Sequence, residues 1–350
     1  MSNPHLWVRA EQRANETRVG LMPAGAAALI AAGFDVTVEA SQTRCVPTQD
    51  YADAGCAIAA TGSWVDAPQD AVIFGLKELP EDGTPLRHRH IMFGHAFKGQ
   101  GAGRVLLDRF KAGGGTLLDI EYLVNDAGRR VAAFGYWAGY AGAAVSLMCW
   151  AAQQRGAIAG PVSPYADAAS LNAALAQTLR KTGIPPPNAL IIGALGRVGT
   201  GAADLCAAMD VAVTGWDMAE TANGGPFPEI LEHELFFNCI LANAGTPPFV
   251  TADAPTSARK LAVIGDIACD PDSNYNPVQV YDRATTWDAP ALRVHEAPPL
   301  DVMAIDNLPS MLPRESSDDF AAQLLPTLLD LGTDQTGVWA RANAVFSAHI

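Results

Sequence analysis

Between Asn188 and Leu205 the chain reads NALIIGALGRVGTGAADL, and no other stretch restricts the fold as much. The apolar run Asn188 to Ile192 is expected to be a strand. Glycines follow at Gly193, Gly196, Gly199 and Gly201, and a helix is expected over Gly199 to Met209. Strand, glycine turn and helix in that order belong to a parallel βαβ unit. The turn lets backbone N–H groups approach a pyrophosphate at the helix N-terminus. A second expected strand, Val211 to Trp216, ends at Asp217, 24 residues past Gly193. A carboxylate there accepts hydrogen bonds from ribose hydroxyls and repels a 2′-phosphate, so the pattern favours NAD over NADP. The spacing G-x-x-G-x-x-G is a variant of the usual fingerprint, and an ordinary glycine-rich β–α turn with a surface Asp is the alternative. Arg197 lies among these glycines, where it either reaches a cofactor phosphate or is solvated.

The rest of the chain repeats the alternation of short apolar runs and helical stretches, the signature of the α/β class with parallel sheets. Strands are expected at His5–Arg9, Asp35–Glu39, Ala71–Leu76, His90–His95 and Thr116–Asp119, with helices at Met22–Ala32 and Gly103–Ala112. A Gly- and Pro-rich stretch, Gly156 to Tyr165, and the triplet Pro185-Pro186-Pro187 bracket a helix at Ala168–Thr182 before the second α/β pattern begins. Further strands are expected at Phe236–Leu241 and Leu261–Ile267. Helices at Ser316–Leu331 and Val338–His349 are expected to pack back on the first domain.

Of 350 residues, 23 are Lys or Arg and 37 are Asp or Glu, a net charge of −14. Nucleic-acid binding needs a basic face that displaces counterions, so it is excluded, as is docking to anionic lipid through a polybasic patch. The six cysteines form no C-x-x-C pair, so neither a zinc ribbon nor a thioredoxin motif is indicated, and reduced thiols in the cytoplasm are expected. The opening MSNPHLWVRAEQR has no apolar run of a secretory leader. Val131 to Gln154 carries no charge and has the length of a membrane span. Its Ala and Gly transfer weakly into lipid, so a helix buried between two domains is expected instead.

Lys77 directly follows the expected strand AVIFGL, at a strand mouth where α/β ligands bind. On composition alone, a lysine snorkelling from a strand end is the better explanation. His88, His90 and His95 form H-x-H-x4-H, but no local Cys or acidic ligand completes a metal site. His95 is the better acid–base candidate. Arg9, Arg13 and Arg18 lie near Glu11 and Glu16, and Arg129-Arg130 form a pair. Such clusters suit planar recognition of carboxylates, or are surface charge.

RAEQRANETRVGLMP resembles the opening of the alanine dehydrogenase superfamily. GLKELPE, FGHAFKGQ, NDAGRRVAAFGYWAGYAGAA, LIIGALGRVGTGA, GGPFPEI and IDNLPSMLPRE together resemble the NAD-dependent, lysine-forming saccharopine dehydrogenases, in that family's order and over essentially the whole chain. The resemblance implies two Rossmann-like domains, residues 1–135 with 313–350 and residues 136–312, with the active site in the cleft between them. It implies oxidative deamination of saccharopine to lysine and 2-oxoglutarate, with NAD as cofactor. It places acid–base roles on Lys77 and His95, and substrate contacts on Arg18, Gln100, Arg130, Phe134, Glu78 and Glu121. Cofactor contacts fall on Arg129, Gly193, Gly196, Arg197, Val198, Asp217, Thr221, Ile267, Asp306, Asn307, Leu308 and Pro309. Converging cations would favour the neutral amine of Lys77, and Glu78 and Glu121 would oppose them.

Val198 stands where fungal members carry a cysteine, so no thiol link from that loop to Cys239 is possible. The ending Ala348-His349-Ile350 is not a peroxisomal tripeptide, which favours the cytoplasm. Two other readings remain in play: a dehydrogenase taking a different amine, and a non-catalytic NAD-binding sensor. A monomer or small homo-oligomer working on small molecules is expected. Residues 1–130 hold 13 basic and 15 acidic side chains, net −2, and the remaining 220 hold 10 and 22, net −12. The cations are thus concentrated in the half expected to hold a tricarboxylate.

Overall fold

The computed structural model describes residues 4–13, 15–97, 101–271 and 273–350. The chain divides into two compact units, Met1–Ala133 with Pro313–Ile350, and Phe134–Leu312.

Among the described residues the first unit contains six strands: β1 (His5–Val8), β2 (Asp35–Glu39), β3 (Ala57–Ala59), β4 (Val72–Phe74), β5 (Arg89–Met92) and β6 (Thr116–Asp119). They pair in the order β3-β2-β1-β4-β5-β6, every pairing parallel. Parallel strands need crossovers, and most of these are helical: α1 (Pro23–Ala31), α2 (Thr48–Asp53) and α3 (Gly101–Gly113). Pro23 opens α1, where its missing N–H costs nothing. The three residues of β4 are all buried, as a central strand covered on both faces requires. The terminal helices α8 (Pro313–Leu329) and α9 (Val338–Ser347) belong to this unit, with α8 against α1 and α9 against β6.

The second unit begins with α4 (Gly135–Gln153) and α5 (Ala168–Arg180). Its strands are β7 (Asn188–Ile192), β8 (Ala212–Trp216), β9 (Leu235–Asn238), β10 (Val263–Asp266), β11 (Leu292–Glu296) and β12 (Pro299–Met303). They pair in the order β11-β12-β10-β9-β7-β8, parallel except for the antiparallel edge pair β11–β12. Helix α6 (Arg197–Ala208) crosses from β7 to β8, and the short α7 (Met218–Thr221) follows β8. The uncharged stretch is α4, whose closest helical partner is α6 of the same unit. No helix among the described residues is long and apolar enough to cross a membrane.

The strands β11 and β12 escape the sequence reading, as do β3 and α2. The hairpin is interrupted by Pro298 and Pro299 and carries Arg293, His295, Glu296 and Asp301. Asp301 is fully buried, however, and satisfied by Arg293 Nε and by Gln153 Nε2 at 2.7 Å. A buried charge with fixed partners is invisible to hydropathy. Helix α6 starts at Arg197 rather than Gly199, with Gly196 as its N-cap. Arg197 and Val198 therefore occupy the first helical turn and not the glycine loop.

Glycines let α4 and α6 approach at backbone distance. A Cβ on Gly139 would lie 1.8 Å from the Val198 carbonyl oxygen, and one on Gly201 would lie 1.9 Å from that of Tyr136. Backbone cannot yield there as a side chain would. Gly139→Ala is therefore expected to destabilise the protein by about 2 kcal/mol or more, well above the cost of an ordinary small-to-large change on a surface. Urea unfolding of the variant beside wild type checks this.

Candidate active site

In the first unit the candidate residues lie beyond the C-terminal ends of four adjacent strands: Arg9 and Glu11 after β1, Lys77 and Glu78 after β4, His95 after β5, and Glu121 after β6. That is the end of an open parallel sheet at which ligands bind. Lys77 is half-buried, and Glu78 and His95 are exposed. His95 has φ of 47°, a left-handed conformation uncommon for a non-glycine residue. Next to it, the Gly94 N–H donates to Asp119 Oδ2 at 3.2 Å. A cavity of about 450 Å³ has Glu78 and His95 in its wall, with Leu79, Phe93 and Leu106.

Arg18 is buried and donates from Nε to Glu16 Oε1 at 2.8 Å and from Nη2 to Glu16 Oε2 at 2.6 Å. Burial alone would raise the Glu16 pKa. The hydrogen bonds and charge of Arg18, with the charge of Lys77, hold it below the ordinary carboxylate value instead. The Glu16 carboxylate therefore stays ionised, balances Arg18 and lies within electrostatic reach of Lys77. Arg130 pairs with Glu121 at 2.5 Å, and Arg129 is exposed. The Glu78 side chain makes an exposed ion pair with Arg13 at 3.8 Å, of the kind that contributes little. Gln100 lies outside the described residues.

His88 and His90 are both in the core. His88 Nε2 meets the Ala67 carbonyl oxygen at 3.1 Å, and His90 packs edge-on against Trp64 and Phe110. Burial, chiefly, pushes the His90 pKa down to about 3, so its ring is neutral. Among the described residues no cluster of three or more His, Cys, Asp or Glu side chains could hold a metal ion.

In the second unit the candidate nucleotide residues also gather at the C-terminal strand ends. Gly193 follows β7, Asp217 follows β8, Ile267 follows β10, and Asp306 to Pro309 lie beyond β12. Gly193 has φ of 89°, and a Cβ at Gly199 would sit 2.2 Å from the Gly193 carbonyl oxygen. The turn is thus closed to any other residue type at Gly199. Asp217 accepts from Leu195 N at 3.0 Å and Met218 N at 2.9 Å, which ties the β8 end to the glycine turn. The Thr221 hydroxyl donates back to the Asp217 carbonyl at 2.9 Å. Ile267 and Leu308 pack on α4 at Gly142, and Asn307 turns the chain with φ of 69°. Phe134 is the N-cap of α4 and opens this unit.

Sequence reasoning missed Asp119 and did not single out Glu11 and Glu16 from the charge cluster around them. A carboxylate two residues before Glu121, closing a buried strand, was the available signal for Asp119. Its pKa is raised to about 6, first by burial and also by the Glu121 charge, against hydrogen bonds from Glu121 N and Gly94 N. The folded protein therefore keeps this proton up to about pH 6, while an unfolded chain releases it near pH 4. The resulting stabilisation is full below pH 4 and is lost as pH rises through 6. Denaturation across pH 4–7 is expected to show the stability difference between wild type and Asp119→Asn moving in the variant's favour by up to about 3 kcal/mol.

Residues 7–141 match the family model for the N-terminal domain of alanine dehydrogenase and pyridine nucleotide transhydrogenase. A solved L-alanine dehydrogenase superposes with a TM-score of 0.69 at 17% identity, covering 98% of this chain and 93% of that one. That likeness establishes the fold. The saccharopine dehydrogenase [NAD(+), L-lysine-forming] of Yarrowia lipolytica is 45% identical, over 99% of this chain and 97% of its own length. The enzyme of the same name from Schizosaccharomyces pombe is 42% identical, over 100% of this chain and 99% of its own. At that identity and coverage, the chain belongs to the NAD-dependent, lysine-forming saccharopine dehydrogenase family.

Proposed function

We propose that the protein catalyses the reversible, NAD-dependent oxidative deamination of saccharopine, with water, to L-lysine and 2-oxoglutarate, releasing NADH and a proton. The observation that carries this reading is the full-length match to enzymes of that printed activity, joined to Lys77 and His95 at the mouths of adjacent strands.

The second unit suits a dinucleotide. Its glycine turn leaves backbone bare at the N-terminus of a 12-residue helix, where phosphate is stabilised. Gly193, Gly196, Arg197 and Val198 would hold the pyrophosphate region and Asp217 the adenosine ribose. Thr221, Ile267, Asp306, Asn307, Leu308 and Pro309 would flank the remainder. Bound NAD supplies the acceptor for the hydride that leaves the carbon next to the secondary amine.

The first unit would hold the substrate. Arg18, oriented by Glu16, and Arg130, oriented by Glu121, are the guanidinium groups assigned to the substrate carboxylates. Lys77 takes the proton from the amine nitrogen. His95 takes a proton from the water that adds to the imine carbon, and a proton then passes to the departing lysine amine. Glu78 and Glu121 moderate the positive charge around these groups. A reducing compartment such as the cytoplasm fits a chain whose scattered cysteines include no C-x-x-C pair.

Lys77→Met is expected to lower kcat by about a hundredfold or more while leaving the Kd for NADH within about twofold. Steady-state rates with fluorescence titration of NADH check this, and near-normal turnover would remove Lys77 from the mechanism. Asp217→Ser is expected to raise KM for NAD by about tenfold and to relax discrimination against NADP. Unchanged coenzyme preference would place the ribose elsewhere.

A further inference from the structure

Arg9 and Glu11 touch the backbone of Lys77 from both sides. The Leu76 N–H donates to Glu11 Oε1 at 2.6 Å, and the Lys77 N–H donates to Glu11 Oε2 at 3.0 Å. The Lys77 carbonyl accepts from Arg9 Nη2. Arg9 Nη1 donates to Glu11 Oε2 at 3.3 Å, so the two side chains are also bound to each other. Their side chains are 2% and 9% exposed. The Arg9 backbone N–H donates to Phe74 O at 2.9 Å, continuing the β1–β4 ladder. The guanidinium lies against Gly75, where a Cβ would come within 2.3 Å of Arg9 Nε.

Both backbone polar groups of Lys77 thus end on one buried ion pair, and the peptide just before them makes room for it. Ordinary strand ends hand these groups to water or to the next turn. Here they are held by charge-assisted bonds, which are shorter and stronger than neutral ones. We propose that Arg9 and Glu11 form a clamp that positions Lys77: they fix the peptide from which the lysine side chain projects and so the place at which its amine meets substrate. Neither residue needs to touch substrate. This inference rests on the acid–base reading of Lys77, and a misplacement of about 1 Å in such a group can cost about a hundredfold in rate.

A double-mutant cycle tests it. Glu11→Gln keeps the size of the side chain but presents an N–H to one of the two backbone N–H groups. It is expected to lower kcat by about tenfold or more with KM for NAD within about twofold. Added to Lys77→Met, the same change is expected to cost less than about twofold, because the group it positions is gone. Gly75→Ala, which pushes the guanidinium off its seat, is expected to behave the same way and carries the test if Glu11→Gln does not fold. Unchanged kcat in a folded Glu11→Gln or Gly75→Ala protein would overturn the proposal. So would an equal further loss in the Lys77→Met background, which would mark a general structural role. Near-normal turnover of Lys77→Met alone identifies instead a failure of the acid–base reading beneath it.

Discussion

Parallel strand pairing is the constraint on which both units depend. A parallel sheet sends every chain crossover from the C-terminal end of one strand to the N-terminal end of the next. Loops leaving the C-terminal ends are therefore free to differ while the sheet beneath stays regular. The order β3-β2-β1-β4-β5-β6 puts β1 and β4 side by side where the connections diverge. Arg9, Glu11 and Lys77 emerge from those two strands. In the second sheet β7 and β9 are the corresponding neighbours, and the glycine turn emerges from β7. Helix α6 then meets α4 through glycine contacts that no larger residue permits, so the turn that suits a pyrophosphate also rests on the core of its unit.

Charge in the first unit is organised more tightly than a count of arginines suggests. Arg18 is bound to Glu16, Arg9 to Glu11 and Arg130 to Glu121. Each guanidinium is oriented by a carboxylate, and the local cation surplus is correspondingly smaller than the density of arginines implies. A buried guanidinium with a fixed partner costs less to desolvate than a lone one.

Much of the fold was legible because period and punctuation agreed. Asp35–Glu39, Thr116–Asp119 and Asn188–Ile192 are strands at the expected bounds. Helix α4 declares itself by a run of uncharged residues that is too rich in Ala and Gly for lipid. The hairpin of β11 and β12 was illegible because Asp301 is a charge neutralised by Arg293, a partner eight residues away across a turn. Lys77, His95, Gly193 and Asp217 lie at strand ends, and position alone did not single out Lys77. Family resemblance did so, and the backbone contacts of Lys77 with Arg9 and Glu11 add a physical reason. Those contacts could not be read in advance, because they join side chains to a peptide 66 to 68 residues away.

The identity of the amine decides the assignment to saccharopine. The most direct measurement is NADH oxidation with 2-oxoglutarate against lysine, ornithine and ammonia, and with pyruvate in place of 2-oxoglutarate. Lysine with 2-oxoglutarate is expected to give the highest kcat/KM by about tenfold or more, a margin that site-built polar recognition readily supplies. Equal or better rates with another amine or with pyruvate would contradict the assignment to saccharopine, while leaving the two parallel sheets and the nucleotide turn as they are.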